Sequence, residues 1–285
     1  MKKVCVFSVI FPANLAYFDD YLVSLNNQDF KNFDIVLLND GVKNLNSILD
    51  NYKKLEFKIY PVKGSPAEIR QKGIEILSDS DYEKIIFADT DDYFSVNRIS
   101  MSLQLLESYD VAVNDVSLVT EDKVVFGENY ISHSLKDNTT FDYNYLINKN
   151  ILGLSNTAIN RNILSKVKID SEIVAVDWFL FTVWLVKRKT VCVFSNKAIT
   201  FYRQHSANTA GMGAVTEAGI LKAIKVKLVH FKNLSHLGST FGQLYAKFEA
   251  LNSGIKDTVF RRKYIAHIQS FNLKYPLWWE EAKEY

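Results

Sequence analysis

Continuous apolar runs alternate with helically spaced segments along the first third of the chain. Residues 3–11 (KVCVFSVIF) read as a fully buried, β-branched strand. Residues 15–28 place Leu15, Phe18, Leu22 and Leu25 at helical spacing, and 34–40 (DIVLLND) form a second strand closed by Gly41. A helix over 44–54, a shorter strand over 56–62 and a helix over 65–77 follow. The last of these opens with Ser65 as N-cap, Pro66 in its first turn and Glu68 in capping-box position. Residues 83–89 (EKIIFAD) make a fourth strand and 96–108 a helix. Apolar strands alternating with amphipathic helices predict a parallel sheet covered on both faces. Ligands of such sheets bind beyond the carboxyl ends of the strands. Those ends carry Phe11-Pro12, Asn39-Asp40 and Asp89-Thr90-Asp91.

The pattern then loosens. Segments within 110–131 read as strands, 141–150 as a helix, and 190–195 and 198–203 as two strands. From 216 onward helices dominate, the last around 257–272. The expected division is 1–110, 111–215 and a helical appendage over 216–285.

The fourth strand ends in DTDD, with nothing basic among its acids. Asp89 and Asp91 point to one side of an extended chain. Two carboxylates on one face favour a hard divalent cation, and Mg²⁺ prefers one or two carboxylates plus substrate phosphates. The plainer alternative is a polar turn in which Asp92 or Ser95 caps the helix that follows. Asp177 is the only charge within IVAVDWFLFTVWLV, 173–186. Burial there raises a carboxylate's pKa, which suits a general base. An acid at the N-terminus of a buried helix is the structural alternative, and the two are compatible.

Composition narrows the field. Hydrophobic residues at 48% exclude a disordered chain, and a net charge of +2 gives no global case for nucleic acid. Cys5 and Cys192 sit in apolar runs and read as inert buried thiols. No uncharged run is long enough to span a membrane, and polar residues soon interrupt the apolar start. A cytoplasmic location is the expectation.

Six motifs then fall in one order: SVIFPAN, Asn39-Asp40-Gly41, IRQKG, DTDD, AVDW and FYRQHSAN. In that order the chain resembles the family-two glycosyltransferases of GT-A fold, over about residues 3–212. The resemblance departs at Ala13, Gln71 and Val176. It implies a GT-A, Rossmann-like, mostly parallel sheet with helices on both faces. It also implies inverting transfer from a nucleoside-diphosphate sugar, a UDP-sugar first, to a carbohydrate or lipid-linked acceptor. Bacterial surface polysaccharide or glycoconjugate synthesis is the implied setting. Pro12, Ala13, Asp40, Arg70 and Asp89 fall on the nucleotide side, although Arg70 alone reads as a helix-surface charge. Asp91 and His205 would hold Mg²⁺ or Mn²⁺, and Asp177 would be the base. Asn156, Trp178 and Arg203 would contact the diphosphate or acceptor. Two rivals remain at this stage, a nucleotidyltransferase and a non-catalytic nucleotide-sugar-binding relative.

Residues 206–215 (SANTAGMGAV) read as a loop that closes over donor. The appendage is basic, with Lys222, Lys225 and Lys227 among its cations, and ends in Trp278 and Trp279. Those features suit peripheral contact with anionic lipid. The preferred reading is a helical cap on the catalytic domain or on a second subunit.

Overall fold

In the computed structural model, which describes residues 2–205, 215–271 and 277–284, the first strand is buried at every position. This is β1 (Val4–Ile10). It lies between β2 (Asp34–Asn39) and β4 (Lys84–Phe87), parallel to both, and β3 (Glu56–Pro61) closes that edge. Side chains alternate between two apolar layers, as the two-residue period requires. Cys5, Phe7 and Val9 join the core beneath α3 (Pro66–Ser78). Val4, Val6 and Ile10 join the opposite core with α1 (Phe18–Asn26), α2 (Leu45–Leu49) and α4 (Arg98–Leu105). Gly73 explains itself here: a Cβ would stand 2.3 Å from the Phe7 ring. The capping box forms, with Ser65 N–H donating to Glu68 Oε2 at 2.7 Å and Glu68 N–H to Ser65 Oγ at 3.4 Å.

Beyond β4 the sheet changes direction. A short β5 (Tyr93–Phe94) and the long β6 (Val111–Val119) precede a hairpin strand β7 (Val125–Gly127) and β8 (Thr140–Phe141). The expected 141–150 helix shrinks to α5 (Tyr143–Leu146). Strand β9 (Thr157–Asn160) is inserted antiparallel between β4 and β6. The two strands expected over 190–203 are one, β10 (Cys192–Arg203), with an irregularity between Ser195 and Ile199. The sheet order is β3-β2-β1-β4-β9-β6-β10-β5. Both cysteines are buried and free. Neither Asp92 nor Ser95 caps α4: its N-cap is Asn97, which makes no capping bond.

Helix α6 (Val176–Arg188) covers one face, and α7 (Glu217–Leu234), α8 (Ser239–Gly254) and α9 (Thr258–Ser270) follow it. Ile220, Ile224, Phe231 and Ile268 enter the same core as Phe7 and Trp184, so the appendage is a helical cap on the sheet domain. Two features of the lipid reading are corrected. Lys227 is buried, and Trp279 keeps only 9% of its surface. Among the described residues no helix is long and apolar enough to cross a membrane. Residues 206–214, where the closing loop was expected, lie outside the described residues.

Candidate active site

The ends of β1, β2 and β4 meet where the sheet pattern places a site. Pro12 and Ala13 are exposed on the turn after β1. Asn14 beside them is buried, and its Nδ2 donates to Thr90 Oγ1 at 3.1 Å. Thr90 Oγ1 in turn donates to Val9 O at 2.9 Å. That pair stitches the DTDD turn to β1. Asp40 N–H donates to Ile10 O at 2.9 Å. Gly41, at φ +85°, supplies the left-handed turn that follows.

The acids repel one another in sequence, yet three arginines, from α3, from α4 and from the end of β10, surround them in space. Arg70 is not a helix-surface charge: its Nη2 stands 3.0 Å from Asp89 Oδ1. Arg98 is fully buried beneath the turn and donates to Phe87 O at 2.6 Å and Asn114 Oδ1 at 3.0 Å. Burial lowers its pKa to about 9, and the nearby Asp92 and Asp89 oppose that shift. Arg203 is also buried, with Nε donating to Asp91 O at 2.9 Å and Nη2 paired with Asp20 Oδ2 at 2.7 Å. It pairs with Asp20 and not with Asp177. Its guanidinium lies 4.7 Å over the Tyr17 ring.

Asp92 is fully buried, accepting the Arg203 N–H at 2.9 Å and the Ser155 hydroxyl. Burial and then the charges of Asp91 and Asp89 push its pKa well up. Asp92 therefore ties the turn to β10 and to the 153–156 loop. Asp89 is raised as well, first by burial, against the pull of Arg70 and with the push of Asp91 and Asp177. Asp91 Oδ2 lies 3.0 Å from His205 Nε2. The His205 ring sits 4.9 Å from that of Tyr17.

Asp177 occupies the first turn of α6. Its Oδ1 accepts the Trp178 N–H at 2.8 Å and its Oδ2 accepts Asn150 Nδ2 at 3.1 Å. These bonds favour the carboxylate, but burial outweighs them and the pKa is raised. Asp89 and Asp177 line one cavity of about 150 Å³, with Asn150, Tyr202, Trp278 and Trp279. Asn156 also borders it, but its amide is occupied, accepting Gly153 N–H at 2.8 Å and donating to Ile151 O at 3.1 Å. Trp178 turns away from the cavity: its Nε1 donates to Leu146 O at 2.7 Å and its ring stacks on His230 at 3.5 Å.

The sequence pattern missed Tyr17, Asn150, Tyr202 and the terminal tryptophans as site residues. Asn14 and Tyr202 lay inside the quoted motifs SVIFPAN and FYRQHSAN. Tyr17, Asn150 and the terminal tryptophans reach the site through long-range packing, which no local pattern marks.

Asp91 and His205 fit a divalent cation of substrate-bridging type. Neighbouring ligands of an octahedral ion at roughly 2.1 Å stand about 3 Å apart, and the two side chains keep that separation. No group of three or more ligating side chains occurs among the described residues. Two protein ligands leave positions for phosphate oxygens.

Helices on both faces of a curled sheet, with acids at its strand ends, make the architecture a GT-A fold. Residues 8–172 match the model of Glycosyl transferase family 2. That is more than half of the chain, and the chain belongs to this family. An uncharacterized glycosyltransferase of Haemophilus influenzae is 24% identical over 268 residues, covering 87% of this chain and 96% of that one. The structure of S. aureus TarS 1-349 in complex with UDP-GlcNAc is similar at TM-score 0.64 and 15% identity, over 89% of this chain and 73% of that one. The mannosyltransferase PcManGT of Pyrobaculum calidifontis, in complex with GDP-Man and Mn²⁺, is similar at TM-score 0.56 and 12% identity, over 83% and 65%. The two structural similarities speak for the fold.

Proposed function

We propose that the chain transfers a sugar from a nucleoside-diphosphate sugar to an acceptor hydroxyl, with inversion at the anomeric carbon. The observation that carries this reading is that Asp89 and Asp177 open into one cavity while Asp91, on the same turn as Asp89, stands beside His205 from the end of β10. Asp177 takes the acceptor proton, and the raised pKa supports that role. The acceptor oxygen forms its bond to the anomeric carbon as the bond to the diphosphate oxygen breaks, and the electron pair leaves with the nucleoside diphosphate. A Mg²⁺ or Mn²⁺ ion bound at Asp91 and His205 would supply neutralisation of the departing diphosphate. Pro12, Ala13, Asp40 and Arg70 border the nucleotide, with Asp89 at its ribose. Arg203, Asn156 and Trp178 act by holding the turn, the loop and the helix that present those groups.

The UDP-GlcNAc of the TarS structure supports a UDP-sugar donor, and the Mn²⁺ of the mannosyltransferase supports metal use. A surface polysaccharide or glycoconjugate is the product class in keeping with the family resemblance. A thermal-shift screen of nucleotide sugars with and without Mn²⁺ tests the reading, since ligand binding raises the melting temperature. One nucleotide sugar should stand out, and only with the metal. ¹H NMR of the first product should show the opposite anomeric configuration. Retained configuration would overturn inversion, and a donor shift equal with and without metal would overturn the role of Asp91.

A further inference from the structure

The cavity that holds Asp177 is not closed by the family-matching segment alone. Residues 8–172 carry that match, yet Leu277, Trp278 and Trp279 form part of the wall. The strap 277–284 is fastened at several points. Lys227 Nζ donates to Ala282 O at 2.7 Å, Tyr264 Oη donates to Lys283 O at 2.8 Å, and Glu284 pairs with Lys247. Trp278 meets Trp178 at 5.6 Å and 71° and Trp279 at 5.8 Å and 89°, so neither neighbour stacks on it face to face. Trp178 adjoins Asp177 in the chain, so the strap packs against the residue that follows the α6 carboxylate.

The chemistry of the cavity narrows the occupant. Its lining is divided: Asp89, Asp177 and Asn150 offer hydrogen-bonding groups, while Trp278, Trp279 and Leu154 offer apolar surface. A pyranose has the same division, with hydroxyls around its edge and C–H bonds on its faces. Indoles suit such amphipathic partners. A linear polyol or a peptide hydroxyl would leave the indole surface uncovered.

We propose that the strap builds the acceptor subsite, with Trp278 as the platform on which one pyranose ring of a carbohydrate acceptor stacks and presents a hydroxyl to Asp177. This rests on the reading of Asp177 as the base. The test uses the full-length protein, saturated with UDP and Mn²⁺. It is titrated into tens of millimolar with the methyl glycosides of glucose, galactose, mannose and N-acetylglucosamine, and with glycerol and a serine peptide. Indole signals are followed by ¹H–¹⁵N NMR. At least one pyranoside should shift the Trp278 signal saturably. Trp278→Ala should weaken that binding roughly ten-fold or more, and Trp278→Phe should recover most of it. The proposal is overturned if no pyranoside shifts Trp278, if Trp278→Phe binds no better than Trp278→Ala, or if glycerol or the peptide saturates the signal instead. Nucleotide binding by the wild-type chain separates the two readings. Its loss would overturn the transferase reading, and its presence without a pyranoside response would overturn the acceptor subsite alone.

Discussion

The acid rim and the aromatic wall border the same site but are held by opposite physics. The rim, Asp89 to Asp92, is a charged turn whose repulsion is offset by Arg70, Arg98 and Arg203, two of them fully enclosed. The wall, Leu277 to Glu284, offers the cavity only Leu277, Trp278 and Trp279, carries its charges on the residues beyond them, and is fastened by Lys227, Tyr264 and Lys247. Buried charges gain only when every partner is present, so a single loss within the rim is costly. An apolar wall tolerates change more gradually. Rim variants should therefore strike chemistry and folding together. Wall variants should strike the acceptor and leave the rest standing.

The sharpest break of that contrast is Asp177→Asn, at the junction of the two regions. Turnover should fall on the order of 10²–10⁴-fold while nucleotide-sugar binding persists. Unchanged turnover would sink the base assignment. The wild-type rate should also fall as pH drops through the pKa of Asp177. Burial places that pKa above the ordinary carboxylate value, so the fall begins at higher pH than for an open aspartate. A kcat/KM profile against pH reads it. Next in size is Asp91→Ala, which removes the carboxylate beside His205. Nucleoside-diphosphate affinity in Mn²⁺ should weaken on the order of 100-fold, and the residual binding should no longer respond to the metal in calorimetry. Persistent Mn²⁺ dependence would move the cation elsewhere.

The two regions also differ in how far the sequence revealed them. The strands over 3–11, 34–40 and 83–89 were legible because each is apolar throughout, and the Ser65–Glu68 box because it is local. DTDD was legible as a site because acids at a strand end are unusual. Its neutralisation was not. Arg98 lies close in sequence but looks like any helix residue, and Arg203 arrives from over a hundred residues away. Strand β9 escaped because it has only four residues, TAIN, of which Ala158 and Ile159 pair on both sides, and their burial comes from neighbours. The merger of two expected strands into β10 turned on an irregularity at Ser195, which a polar interruption such as Ser195-Asn196-Lys197 disguises as a break. The wall was least legible of all. Terminal tryptophans beside charges resemble a lipid anchor until the fold shows where they are tucked.

Asp92 sharpens the rim half of the contrast. Asp92→Ala strands the Arg203 N–H and the Ser155 hydroxyl in a buried site and should cost about 2–3 kcal/mol. Asp92→Asn keeps an oxygen for Arg203, and the Ser155 hydroxyl can rotate to accept from the new amide. Its pKa is already pushed up by burial, so loss of charge is tolerated. The Asn variant should lie within about 1 kcal/mol of wild type in urea unfolding. Equal destabilisation by Ala and Asn would mean that the charge itself, and not the hydrogen bonds, holds the turn.

Lys227 sharpens the wall half through a pH dependence of stability. Its ammonium is the wall's buried cation, reaching Ala282 O at 2.7 Å. Burial lowers its pKa from 10.5 to about 7, with Glu284 and Glu280 opposing the shift and Lys283 adding to it. Below pH 7 both folded and unfolded chains hold the proton, and the folded chain bears the full cost of enclosing it. Between about pH 7 and 10.5 only the unfolded chain holds it, so stability rises with pH across that window. Lys227→Met deletes this slope along with one hydrogen bond worth about 1 kcal/mol. Relative to wild type, the variant should therefore lose ground steadily from pH 7 to pH 10, by at most about 1.4 kcal/mol per pH unit. Urea midpoints of both chains at several pH values measure it. A difference that stays flat would place the Lys227 ammonium in contact with water, and the strap would then be held by apolar packing and Tyr264 without a buried charge.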